Sequence, residues 1–194
     1  MDIKIPEWTP GYYQILKFSD NVQNIKISND KNENLGYVKI DNNTWRIATN
    51  HSKTITLDYQ VIAKEEFIAK AYIGEKKAFL RPTAIFIFPE KFFDRPISLT
   101  IDKNKWNKIA TGLDKKGKNY IAKDFNQLYD SPILVGDLEE LPSFDINGKK
   151  HYFTGIDLGN FDKKKLMDDL KKMIIATTSI FNDIPYEHYN FIST

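Results

Sequence analysis

The sequence predicts a mainly β fold: an N-terminal β-sandwich followed by one amphipathic helix and a final strand. Three observations carry this. Over 54–61, Ile55, Leu57, Tyr59 and Val61 fall on one face, and Thr56, Asp58 and Gln60 fall on the other, the period of a half-buried strand. Asn147-Gly148 stands between two β-rich runs, 144–146 and 151–153. That dipeptide tolerates the positive φ angles of a tight hairpin turn. A spacing of three to four between apolar residues appears only near the end, at Leu166, Leu170, Met173, Ile174 and Phe181, which marks one helix face. Many short strands joined by turns argue for a sandwich.

The other elements follow in order. Asn42-Asn43 lies between 37–40 and 45–48 and predicts a hairpin. The apolar runs 67–73 and 84–88 read as further strands, and Ile97, Leu99 and Ile101 alternate again. Lys115-Lys116-Gly117-Lys118 reads as a solvated basic turn. Asp162 is placed to cap the helix. Lys163, Lys164 and Lys165 in its first turn oppose the helix dipole, so the apolar face must hold it. Pro185 is the expected stop, and 185–192 reads as a turn leading into a strand. The expected division is a β-sandwich over 1–155, then a helix and strand over 156–194. Leu170 and Phe181 are expected to face a surface that awaits cover.

Composition narrows the function classes. The chain has 194 residues with 41% hydrophobic and 28% charged, including thirteen Phe, ten Tyr and three Trp, enough to bury a core without crosslinks. It has no Cys, which removes disulfides and thiolate metal sites. A net charge of +2 points to neither nucleic acid nor an anionic membrane. No apolar run approaches a membrane span, and Met1-Asp2-Ile3-Lys4 lacks a signal-peptide pattern. A cytoplasmic location is therefore expected. Asn42-Asn43-Thr44 and Asn50-His51-Ser52 match glycosylation sequons, which an Asn-rich chain acquires by composition.

No catalytic constellation is complete. The histidines are His51, His151 and His188, and no His-Glu-x-x-His sequence exists, so the usual helix-borne zinc pair is missing. Glu187 and His188 are adjacent, and neighbouring side chains point apart. Asp130-Ser131-Pro132 has no Gly-x-Ser-x-Gly around it and reads as a turn in which the Asp130 carboxylate accepts backbone N–H bonds. Asp137, Glu139 and Glu140 read as a solvated acidic loop.

Two segments carry a specific resemblance. Ile5-Pro6-Glu7-Trp8-Thr9-Pro10-Gly11-Tyr12-Tyr13-Gln14-Ile15 resembles the Pro-x-Trp-x-Pro-Gly-x-Tyr signature of M61 (glycyl aminopeptidase-like) zinc peptidases. Ile180-Phe181 followed by 185–192 resembles the lead into that family's catalytic core. Trp106, Ala110-Thr111-Gly112-Leu113 and Tyr129-Asp130-Ser131-Pro132-Ile133 to Gly136 fall in the expected order between them. The resemblance implies an N-terminal β-sandwich packed on a thermolysin-like catalytic domain, so that 156–194 would begin that domain. It also implies zinc in a full-length parent, held by residues this chain does not contain, and metal-assisted peptide hydrolysis as the parent's reaction.

The role this implies is scaffolding: support of the catalytic domain and one wall of the peptide cleft. No residue is assigned as catalytic or as a metal ligand. The residues expected nearest substrate are Tyr186, His188 and Tyr189, then Trp8 and Tyr12. Expected partners are the catalytic domain, the peptide substrate of the parent, and a second copy through exposed apolar surface. The alternative is a stand-alone sandwich that binds peptide or glycan, which calls for an exposed aromatic patch.

Overall fold

The computed structural model describes all residues, 1–194. Strands hold 39% of them and helices 18%, so the fold is mainly β, with several antiparallel sheets. Contacts divide the chain into two compact units. One holds Met1–Gly74, Leu80–Ile101 and Leu113–Pro132; the other holds Glu75–Phe79, Asp102–Gly112 and Ile133–Thr194.

In the first unit an antiparallel sheet runs in the order Tyr37–Asp41, Thr44–Ile47, Asp2–Lys4, Phe88–Pro89. The hairpin about Asn42-Asn43 is there. Asp2–Lys4 at the centre was not foreseen, because three residues are too few to show a period. Val22–Asn29 pairs with Ile55–Val61, whose half-buried and exposed positions alternate as expected. A third sheet joins Asp114–Lys116, Asn119–Ala122 and Ile97–Leu99, and Gly117 turns the basic hairpin at φ +63°. Ile3, Ile5, Phe18, Ile27, Trp45 and Ile47 form the buried core.

Two apolar runs of this unit are not the strands their composition suggests. In 67–73 only Tyr72–Ile73 is extended, and the Lys70 amide donates to the Phe67 carbonyl in a turn. In 84–88 only Phe88 is extended, and before it the 3-10 helix Pro82–Ala84 runs into an irregular stretch. There the Tyr59 hydroxyl donates to the Ile85 carbonyl at 2.8 Å and the Tyr129 hydroxyl to the Phe86 carbonyl at 2.8 Å. Two phenols, Tyr129 buried and Tyr59 half-buried, thus satisfy backbone carbonyls that a sheet would otherwise pair.

In the second unit, Lys108–Thr111 pairs antiparallel with Ile133–Gly136, every residue of which is buried. In the other sheet, Lys149–Gly155 pairs antiparallel with Glu139–Glu140 and Phe144–Ile146. The Asn147-Gly148 turn has φ of +52° and +79°, as a type I′ hairpin needs. The helix Lys163–Phe181 follows, and the terminal strand His188–Ser193 returns parallel to Lys149–Gly155. Parallel neighbours require such a crossover. Ile192 packs against the core of Phe79, Ala110, Leu134 and Leu138, which ties the terminal strand into the unit.

The helix begins where expected, with the Asp162 carboxylate accepting the Lys165 amide at 2.8 Å. It ends at Phe181, four residues before Pro185, because Asn182 takes a left-handed conformation at φ +50°. Asparagine is one of the few residues that enters this region readily.

Candidate functional site

The Pro-Gly loop of the first unit is built on one turn. The Tyr12 amide donates to the Thr9 carbonyl at 3.1 Å, and Gly11 sits at φ +82°. Pro10 and Gly11 thus hold the two central positions of a β-turn that wants proline first and a left-handed residue second. Thr9 is buried and its hydroxyl accepts from that of Thr83 at 2.9 Å. A second bond, from the Leu16 amide to the Glu7 carbonyl, closes the loop. The Tyr12 ring meets Phe67 edge-on at 5.2 Å, and its hydroxyl donates to the Gln14 side chain. Trp8 is half-exposed, and Tyr13 and Ile15 are largely exposed.

In the second unit Tyr186 and Tyr189 come together, with ring centroids 5.3 Å apart, and Tyr189 also contacts Phe191 at 4.9 Å. Tyr189 is 44% exposed. These rings and Pro185 form one wall of an apolar groove of about 580 Å³. Leu170, Met173, Ile174 and Phe181 of the helix form the other. The expected face is therefore present. Leu170 is half-buried, whereas Phe181 and Ile180 are both 76% exposed. His188 is half-buried and its ring lies edge-on to Tyr152 at 6.3 Å.

Tyr186 has a partner the sequence did not reveal. The side chain of His151 is completely buried. Its ring stacks on Phe144 at 5.0 Å and meets Tyr186 edge-on at 5.5 Å. Nδ1 lies 3.0 Å from the Lys149 carbonyl and Nε2 lies 2.9 Å from the Tyr186 hydroxyl. A carbonyl can only accept, so Nδ1 carries the proton and Nε2 accepts from Tyr186. Burial pushes the imidazole below its ordinary value, while the Lys149 carbonyl and Asp145 pull the other way. Burial also raises the Tyr186 phenol, which keeps it a donor.

The acidic cluster 137–140 and Ser131 are engaged structurally. No three His, Cys, Asp or Glu side chains are grouped to hold a metal ion. His51 sits in an exposed turn at φ +60°, and both nitrogens of His151 are committed. The residues present therefore do not fit a zinc site, and no hydrolytic step can be drawn through them. Glu139 and Glu140 are ion-paired with Lys163 and Lys108, and Asp137 accepts the Asn107 amide at 3.0 Å. Ser131 is buried and donates to the Gln127 carbonyl at 2.7 Å, closing the short helix Phe125–Tyr129. The turn expected at Asp130-Ser131 is thus a helix end held by the serine.

A family model, the Peptidase M61 N-terminal domain, matches residues 1–137. The chain belongs to the M61 peptidase family. A solved structure is also similar, that of an aminopeptidase N family protein from Idiomarina loihiensis, with a TM-score of 0.87 and 27% identity. The alignment covers 97% of this M61 chain and 33% of that one, so the chain spans about a third of the length of its structural relative. No curated protein matches.

The M61 signature segments now have physical content. Pro10-Gly11 is the turn described above. Ala110-Thr111 and Ile133-Leu134 are cross-strand partners, Ala110 opposite Leu134 and Thr111 opposite Ile133. Of the five residues expected nearest substrate, Tyr186 and Tyr189 share one groove wall. Trp8 and Tyr12 belong to the other unit. His151 lacked any motif to mark it. The only available signal was the Asn-Gly hairpin, which places it directly opposite Phe144 in the ladder.

Proposed function

We propose that this chain is the N-terminal, non-catalytic region of an M61 zinc aminopeptidase, which supports the catalytic domain and walls its peptide cleft. One observation carries the reading. The helix Lys163–Phe181 buries only Met167 and leaves an apolar groove open, in a chain that spans a third of an aminopeptidase N family protein. An apolar helix face of this size is ordinarily covered. Zinc and the attacking water would then be held by the catalytic domain. Tyr189 and His188 on the terminal strand, with Tyr186 before it, would stand beside that cleft.

A second reading keeps some support from Trp8, Tyr13 and Ile15, exposed on the Pro-Gly loop in the way a peptide- or glycan-binding module presents aromatic residues. One experiment separates the two. The chain is titrated with the zinc-loaded catalytic region of an M61 peptidase by calorimetry, beside F181D and I180D variants. The scaffold reading expects binding that each variant weakens by at least about tenfold, a loss of roughly 1.4 kcal/mol, and no peptide hydrolysis by the chain alone. Hydrolysis by the chain alone, or binding that both variants leave unchanged, sinks it. Failure to bind the catalytic region, with saturable binding of free peptides or glycans lost in W8A, establishes the module.

A further inference from the structure

His151 and Tyr186 are joined in a way that depends on the charge of the imidazole. Neutral His151 spends its only hydrogen on the Lys149 carbonyl and offers Nε2 as an acceptor to Tyr186. Tyr186 stands two residues before the terminal strand and is one wall of the apolar groove. Its hydroxyl has no other hydrogen-bond partner that would replace the histidine. Behind the pair, Phe144 closes the ring from solvent.

We infer that His151 and Tyr186 form an acid-releasable latch, which pins 182–189 against the sheet while His151 is neutral and frees it when His151 is protonated. A proton on Nε2 converts the acceptor into a donor facing the hydroxyl hydrogen. The bond then survives only if the hydroxyl turns its hydrogen into an apolar surround. The ring meanwhile carries a buried charge with little to offset it.

The charged groups around the ring do not provide that offset fully. Asp145, on the strand paired to one side, is the one whose charge acts on the ring. Lys149 is paired with Glu187 at 2.7 Å. Lys171 of the helix and Asp183 line a neighbouring polar groove together with Asp145 and Lys149, and Lys150 and His188 complete the set on the adjoining strands. The folded imidazole lies below its ordinary value near 6.5. The latch is therefore fully closed above that value, and its stability falls as pH drops from there towards the folded value.

The test is amide hydrogen exchange of the full chain at about pH 7.5 and about pH 5, corrected for the intrinsic pH dependence. The reference is the antiparallel ladder between 144–146 and 149–151. The latch expects amides 186–190 to gain roughly tenfold in relative exchange at the lower pH. In Y186F those amides exchange fast at both values and the pH response is lost. In H151Q, which offers an untitratable acceptor, they stay protected at both. If H151Q does not fold, Y186F alone decides. Equal protection of the native chain at both pH values overturns the latch, and so does a native-like pH response in Y186F. Nitrogen shifts of the His151 ring offer an independent check: a proton on Nε2 rather than Nδ1 at neutral pH would also overturn it.

Discussion

The central sheet of the first unit and the helix of the second handle apolar surface in opposite ways. In the first, Ile3, Ile5, Trp45 and Ile47 all lie within one closed core. In the second, nineteen residues of helix bury one side chain, Met167, and leave Met173, Ile175, Ile180 and Phe181 exposed. Stability is a small surplus of burial over chain entropy, and short strands gain that surplus only by packing on one another. A capped helix persists with less cover, because its own backbone bonds are satisfied locally. The difference separates what this chain completes by itself from what it presents outward.

Substitutions can break that contrast. The largest effect is expected for I5A, which empties a fully buried site and costs about 2–5 kcal/mol. F181A removes more atoms, but from a side chain that is 76% exposed, and is expected within about 0.5 kcal/mol of native. Urea unfolding of the two variants measures both, and equal losses would mean that the helix face is covered. G155A comes next. A Cβ there would sit 2.8 Å from the Ser193 carbonyl oxygen and 2.4 Å from a Leu158 methyl. The terminal strand must shift, at a cost of about 1–3 kcal/mol, read by thermal melting.

Smaller effects sharpen the account of the helix. Replacing Asp162 by Ala removes the N-cap acceptor and costs about 1 kcal/mol, visible as faster exchange of the Lys165 amide. Asn182→Gly should be neutral or slightly stabilising, whereas Asn182→Val, β-branched at a left-handed position, should fray the last turn at a cost of roughly 1–2 kcal/mol. Circular dichroism of the two variants ranks them.

Local chemistry was legible in the sequence and non-local pairing was not. The Asn-Gly hairpin, the 54–61 alternation and the Asp162 cap are each decided by residues within one or two turns of themselves. The helix stop was misassigned to Pro185, since asparagine's tolerance of positive φ gives a weaker signal than proline's lack of an amide. The run 84–88 was misread because two phenols from distant positions, Tyr59 and Tyr129, supply its hydrogen bonds. The parallel return of the terminal strand has no local signature. Of the candidate site, the resemblance pointed to Tyr186 and Tyr189. The groove they wall, and the histidine behind Tyr186, emerge only when strands far apart in sequence lie side by side.

The division of contacts has a consequence for how this molecule can vary. The chain passes from one unit to the other at 74/75, 79/80, 101/102, 112/113 and 132/133. No single crossover between two related genes can exchange one unit and leave the other whole. A cut after Pro132 would strip Lys108–Thr111 of Ile133–Gly136, its buried partner. Exchanging one unit alone therefore takes a crossover at each of these five junctions.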